Sequence, residues 1–234
     1  MSQLKLREQA YDAFTQHLLD RRLLPGQFVS QRELADKTSM SLAAIREMIP
    51  RLEAEGLIKA IRQRGLQIVH IDLQMVIDAF QLREMIETVA VTAFVRNASE
   101  ADVAAQCTRL QKLIDKVAAG AVSPETVEEA QSADWAMHDA FVAALGNRIL
   151  ADIHRVNSIR IRMILQERIS LSSDRVPVAL QQHKAILDAV ARRDAAGALA
   201  ALRAHLNNSR ERALSFDSFD DPTRNSLGGE PSGE

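Results

Sequence analysis

Apolar residues recur at helical spacing along nearly the whole chain, and the breaks in that recurrence mark its organisation. From Leu4 to Leu24 they fall at positions 6, 10, 14, 18 and 19, predicting an amphipathic helix stopped by Pro25-Gly26. Phe28-Val29 reads as short and extended. Ser30, with Glu33 three residues on, reads as the capping box of a helix holding Arg32 and Leu34. A polar break at Lys37-Thr38-Ser39 follows. A second helix then opens at Ser41, carries Ala44, Ile45, Met48, Ile49 and Leu52 on one face, and closes at Gly56. Two short helices about a tight turn form a helix-turn-helix pattern, although an ordinary helical hairpin in a core has the same signature. Pro50 lies inside the second helix and is expected to bend it beyond its first two turns.

After Gly56 the period changes. Residues 57–61 and 66–71 are β-prone runs joined by Arg62-Gln63-Arg64-Gly65, which predicts a hairpin with a basic tip. Appended to a helix-turn-helix, such a hairpin is a wing. Arg62 and Arg64 would face phosphates or a minor groove, and Gly65 would let backbone approach the DNA. Charge adds a mild third sign: residues 1–70 carry 11 Lys+Arg against 8 Asp+Glu, whereas the whole chain carries 29 against 31. A basic first third on an acidic body suits one nucleic-acid-binding end.

From Asp72 onward the pattern is helical almost throughout. A first helix spans Leu73 to Asn97, with Val76, Ile77, Phe80, Val89, Ala90 and Phe94 as its apolar face. A second follows the Ser99 cap to about Ala119. A third opens at Ser123-Pro124 and ends near Gly146. The fourth starts at Asn147 and reaches about Ser170, the fifth spans about Val176–Arg193, and the sixth Asp194 to about Ser215. Residues 217–234 lack apolar periodicity and are expected to form a disordered tail. The expected division is therefore 1–71 for DNA binding, 72–216 for a helical bundle and 217–234 for the tail.

With 234 residues, 47% hydrophobic and 4% aromatic, the composition favours a mainly helical protein. Cys107 is the single cysteine, so no internal disulfide and no cysteine-based zinc cluster can form, and a reducing compartment fits best. No apolar run reaches the ~20 residues that span a bilayer, and the N-terminus lacks the apolar core of a signal peptide. The cytoplasm is the expected location.

The body carries one constellation with chemical meaning. Asp134 and His138 stand four residues apart, on one face of the third body helix. His183 shares a helical face with Leu180, Ile186, Leu187 and Val190, and His205 lies beside Ala201 and Leu202 on a later helix. Each histidine taken singly could be a separately satisfied core residue. Three imidazoles and a carboxylate on core-facing stripes would together be most economically resolved by a divalent cation, because an unpartnered buried imidazole is costly. The set suits Zn2+, and also Ni2+, Mn2+ or Fe2+, with open positions for water or a ligand carboxylate. His17, His70 and His154 read as structural. Arg83 lies on the apolar face of the first body helix, where a guanidinium needs an anion. Glu87, one turn on, is one candidate; the carboxylate of a bound small molecule is the other.

Several motifs, in order, resemble one known family. They are Leu24-Pro25-Gly26, Arg32-Glu33-Leu34-Ala35, Ser41 to Glu47, Arg51 to Leu57, and Arg64-Gly65. In the body they are Leu82 to Glu87, Asp134-x-x-x-His138, Gly146-Asn147, His183 and His205-Leu206. Together they resemble the GntR family of bacterial transcription regulators, in the FadR-like branch with an FCD ligand-binding domain. The resemblance implies a dimer of winged helix-turn-helix domains on a palindromic operator, each joined to an antiparallel all-α bundle of six or seven helices. It implies DNA contacts at Arg32, Ser41, Ala43, Ala44 and Arg46, with Gly65 in the wing. It also implies a metal held by one Asp and three His, matching Asp134, His138, His183 and His205, and a small organic acid that docks on the metal and shifts DNA affinity. One position departs from the family: Leu42 stands where Arg is common, so a guanidinium that could read guanine or clamp phosphate is absent.

The expectation is a ligand-responsive, homodimeric transcription regulator that binds double-stranded DNA and no membrane. Arg83 would contact the effector, and the short link Val69–Asp72 would couple the two parts. Two alternatives are a regulator sensing the metal itself and a metal-dependent helical-bundle enzyme, which would leave the basic wing unexplained.

Overall fold

The computed structural model describes residues 3–120, 122–168 and 174–215. The predicted tail falls outside these. Helix α1 covers Gln3–Leu19, strand β1 Phe28–Val29, helix α2 Gln31–Thr38 and helix α3 Leu42–Ala54. Strands β2 (Ile58–Ile61) and β3 (Gly65–Ile68) follow. Six further helices complete the described chain: α4 Leu73–Asn97, α5 Glu100–Ala118, α6 Pro124–Ala143, α7 Arg148–Arg168, α8 Val176–Ala191 and α9 Ala195–Leu214.

The local starts are those the chain prescribes. Ser30, Ser41, Asp72, Ser99, Ser123 and Asp194 each accept a backbone N–H in the first turn of the helix they precede, satisfying a donor the helix cannot. Asn147 does the same for Ile149 and Leu150 at the start of α7. Helix α1, expected to reach Leu24, ends at Leu19. The stop is local and precedes Pro25-Gly26: Arg21 turns left-handed at φ 58°, and Arg22 and Leu23 both donate backward to the His17 carbonyl. Pro50 does not interrupt α3, which continues to Ala54. On α4 the buried stripe is Val76, Phe80, Arg83, Glu87, Ala90 and Phe94, whereas Ile77 is 39% and Val89 59% exposed. At 3.6 residues per turn Val89 falls opposite that stripe, so two of the residues expected on the apolar face are off it.

The three strands form one antiparallel sheet in the order β1-β3-β2, with Ile58 opposite Ile68 and Ile61 opposite Gly65. Gly65 sits at φ 92°, and a Cβ there would lie 2.9 Å from the Val29 carbonyl oxygen. The fold itself therefore requires this glycine, for a positive φ and for the close approach of β1.

Two apolar cores sit end to end. The first gathers α1, α2, α3 and the sheet, and continues into Val76, Ala79 and Phe80 of α4 and Ile159, Ile161, Met163 and Ile164 of α7. The second fills the bundle between α4, α5, α6, α8 and α9. Helix α4 packs along α9, α6 and α7, and α8 along α9 and α5. Asn157 braces α7 on α4 by donating to the Ala79 carbonyl, 2.9 Å. Among the described residues no helix is long and apolar enough to cross a membrane.

Candidate functional site

The bundle brings the four predicted ligands together. Asp134 and His138 come from α6, His183 from α8 and His205 from α9, and one donor atom from each lies within 4.8 Å of all the others. The Asp134 Oδ1 is the hub: it stands 2.7 Å from His183 Nε2, 3.4 Å from His138 Nε2 and 4.0 Å from His205 Nε2. Donors about 2.1 Å from a shared ion would be about 3 Å apart at right angles and about 4.2 Å apart when opposed. The three distances from Asp134 fall near or within that range, while the outer bound of 4.8 Å would need a small closing of the site around an ion. The three histidines are buried and Asp134 is 18% exposed on its side chain.

Outer partners orient the imidazoles. His205 Nδ1 donates to Gln182 Oε1 at 3.0 Å, which leaves Nε2 with its lone pair toward Asp134. His138 Nδ1 lies 2.6 Å from Glu87 Oε2, in charge contact but off the line of a hydrogen bond. Such a carboxylate behind an imidazole fixes ring and tautomer in metal centres. His138 Nε2 and His183 Nε2 are buried without a hydrogen-bond partner among the described residues, as free ligand atoms would be.

The electrostatics point the same way. Burial disfavours the Asp134 carboxylate, but His183 and His138 outweigh it and hold its pKa well below the usual range. Burial, reinforced by His183 and His138, pushes the His205 imidazole well below its ordinary value. An ionised aspartate and a neutral histidine are the forms that bind metals. His138 runs the other way: burial opposes its charged form, yet the Glu87 carboxylate prevails and its pKa rises, so a cation there would compete with a proton.

Arg83 is 3% exposed and donates through Nε to Glu87 Oε1 at 2.8 Å. Glu87 is fully buried; desolvation works against its charge, but Arg83 and then His138 hold its pKa at about 2. Arg83 Nη2 keeps no partner among the described residues. Of the two candidates for the Arg83 anion, Glu87 takes one edge of the guanidinium, and Nη2 is left without a partner among the described residues. A cavity of about 90 Å3 opens beside Arg83, Asp134, His183 and His205. Its wall also includes Trp135, Arg162 and Arg212, which sequence reasoning did not single out. Trp135 follows the candidate ligand Asp134 directly and is the only tryptophan of the sequence, a signal that could have flagged it. Arg162 and Gln182 carried no such mark, because only the packing of α7 and α8 on α6 aims them here. His154, read as structural, meets Asp139 at 3.0 Å.

At the other end, Arg32, Ser41, Ala43 and Arg46 are exposed, as are Arg62, Arg64 and Gly65 in the wing. Arg46 Nε donates to Gln31 Oε1 at 3.2 Å, which places the first turns of α2 and α3 side by side. The Ser41 hydroxyl caps α3 through Ala44 N at 3.2 Å. Ala44 is 3% exposed and packs into the core, turned away from the surface that carries the other candidates. Arg64 also lies over the Phe28 ring, 5.7 Å from its centre.

A winged helix fused to a helical bundle is the build of a DNA-binding transcription regulator. The model of bacterial regulatory proteins of the gntR family matches residues 6–68, and that of the FCD domain residues 78–208. The chain belongs to the GntR family, in the branch that carries an FCD domain. It is 27% identical over 188 residues to the HTH-type transcriptional repressor GlaR of Escherichia coli (strain K12), covering 78% of this chain and 84% of that one. It is 23% identical over 205 residues to the HTH-type transcriptional regulator YdhC of Bacillus subtilis (strain 168), with 87% and 88% covered. In fold it matches E. coli McbR/YncC at a TM-score of 0.74 and 18% identity, over 92% of this chain and 98% of that one. A GntR regulator from Rhodococcus sp. RHA1 matches at 0.71 and 18%, over 88% and 97%. These relatives are named as regulators, and the enzyme alternative falls.

Proposed function

We propose that this regulator is a homodimer whose winged helices, residues 1–71, read a palindromic operator, and whose bundle, residues 72–216, senses a small organic acid at a divalent metal. The carrying observation is the convergence of Asp134, His138, His183 and His205 within 4.8 Å at the edge of a cavity that also exposes Arg83. A cation bound there, with Zn2+ the best match to three imidazoles and a carboxylate, supplies a Lewis-acidic anchor for an acid group. Arg83, held in place by Glu87, would orient that group through its remaining N–H edge.

On the DNA side, Arg46 and Ser41 in the first turn of α3 and Arg32 in α2 would meet bases and phosphates in the major groove. Arg62 and Arg64 would contact phosphates or the minor groove. Leu42 sits where a further guanidinium would stand, so less base-reading capacity remains in this turn. For Arg46→Ala, operator binding is expected to weaken by roughly 1–3 kcal/mol with metal content intact; undiminished binding in a gel-shift titration would remove Arg46 from the interface.

The metal could itself be the signal, a reading favoured by four protein donors already gathered on one point. Titrating Zn2+ and organic acids separately against operator binding distinguishes the two. If the acid shifts affinity only in the metal-loaded protein, the acid is the effector. If neither ion nor acid alters it, sensing at this pocket is wrong. His138→Ala and His205→Ala should each lose bound metal by emission spectrometry, and full retention would rule out the ligand set.

A further inference from the structure

Beyond the metal end, the cavity wall is cationic. Of its lining residues Arg83, Arg162 and Arg212 are positive, and Asp134 alone is negative. Arg83 and Arg162 both stand over Trp135, at 5.9 and 4.7 Å from the ring centre. Each keeps a buried N–H without a hydrogen-bond partner among the described residues: Nη2 of Arg83 and Nε of Arg162. Arg162 Nη2 has a loose ion pair with Asp139 Oδ2 at 3.8 Å, while the other Asp139 oxygen meets His154. Desolvated guanidinium donors that lack an acceptor, on residues that line a cavity, call for an anion.

The cavity also has a direction. His205, Ser209 and Arg212 stand at i, i+4 and i+7 on α9, and all three line it. Two helical turns carry the wall roughly 10 Å from the imidazole end to Arg212. One acid group on the metal would leave the Arg162 and Arg212 end of the cavity without a ligand acid, although Asp139 stands 3.8 Å from Arg162 and Asp174 and Arg175 lie near Arg212.

We infer that the effector is a linear diacid: one carboxylate at the Asp134–His183–His205 end, the second between Arg162 and Arg212, the carbon chain across Trp135. This rests on reading the pocket as an organic-acid site, and adds a second acid group and the residues that select it. The size follows from the space. A cavity of about 90 Å3, at about 30 Å3 for each water in the liquid, has room for only a few waters, which restricts the ligand to a short diacid.

Calorimetric titration of the full chain, Zn2+-loaded, tests this with butanedioate, pentanedioate and hexanedioate against butanoate, pentanoate and hexanoate. At least one diacid should bind about 10- to 100-fold tighter than the monoacid of equal length, the scale of one charge-assisted hydrogen-bonded contact. Arg212→Ala should bring the diacid down to the affinity of its monoacid, and Arg212→Lys, which keeps charge but loses the fork, should fall between. A collapsed pocket would instead weaken mono- and diacids alike, without changing their ratio. Equal binding of the paired acids by the natural chain overturns the diacid inference and leaves the acid pocket standing. A preference that survives Arg212→Ala overturns the assignment of the second acid group. If neither class binds with Zn2+ present, the acid pocket falls together with the inference.

Discussion

Glu87 touches two charged partners from full burial: Arg83 at 2.8 Å through one oxygen and His138 at 2.6 Å through the other. It neutralises a guanidinium and aims an imidazole at once. Glu87→Gln keeps the shape but leaves Arg83 buried without a counter-charge, the kind of change that costs about 3–5 kcal/mol. Equilibrium urea unfolding should register a loss on that scale, and metal affinity should fall about 10- to 100-fold as an orienting carboxylate is lost. A variant with natural stability and natural metal content would show that the pair is dispensable. The sequence made half of this legible. Asp134 and His138 are four apart on one helix, and His183 and His205 sit among apolar neighbours, so the ligand set could be read from periodicity. Arg83 and Glu87 could be read as a pair for the same reason. That Glu87 also reaches His138 depends on the crossing of α4 and α6, which no local spacing encodes.

At the scale of elements, the wing is set by one glycine. With φ at 92° and the Val29 carbonyl 2.9 Å from any added Cβ, Gly65→Ala must either move β1 or distort the hairpin. The expected cost is about 1–3 kcal/mol of stability, seen as a lowered melting temperature, with weaker operator binding because Arg62 and Arg64 lose their register. An alanine variant that melts and binds like the natural chain would mean that β1 yields freely. Arg64→Ala, by contrast, should leave melting unchanged and reduce the slope of log affinity against log salt by about 1, as loss of one phosphate contact does. Most helix starts were legible to within a residue or two because they are written in a Ser, Asp or Asn that caps them; α8, which follows Arg175, has no side-chain cap. The end of α1 was not. Apolar Leu23 and Leu24 stand just before Pro25-Gly26 and invited the longer helix, while the stop depends on Arg21 taking a left-handed conformation that its side chain does not announce. The face of α4 was blurred for a related reason: its core stripe includes charged Arg83 and Glu87, while apolar Val89 points outward.

Across the whole molecule, α7 joins the two ends. Two turns apart on it, Arg155 grips the DNA-binding part and Arg162 enters the bundle cavity. Arg155 donates to Tyr11 Oη at 2.6 Å and to Glu55 Oε1 at 3.0 Å, while Tyr11 donates to Glu55 Oε2 and Arg51 lies 3.8 Å over the Tyr11 ring. Arg160 donates to the Glu55 carbonyl. Glu55 is the C-cap of α3, so this cluster holds the far end of the candidate DNA-reading helix. Residues 69–72 form a short covalent link between β3 and α4, but the side-chain cluster is a second connection and the one a ligand on Arg162 could pull. Arg155→Met should therefore reduce the effector's influence on operator affinity, a coupling of typically 1–3 kcal/mol, by half or more. Acid binding without DNA should be preserved. The cluster also sets a pH window. Burial opposes the Glu55 carboxylate, but hydrogen bonds from Tyr11, Arg155 and Arg51 prevail and lower its pKa, so its contribution is present above the ordinary carboxylate range and is lost as pH falls through the lowered value. Burial, then the Glu55 contact, raises Tyr11 from 10.0 to about 12, so its contribution is complete below 10.0 and fades as pH climbs toward about 12. Coupling measured by fluorescence anisotropy, with and without acid, should hold through neutral pH and decline at the acid end in the natural chain. In Arg155→Met it should be weak throughout, and an undiminished acid response in that variant would return the coupling to the 69–72 link alone.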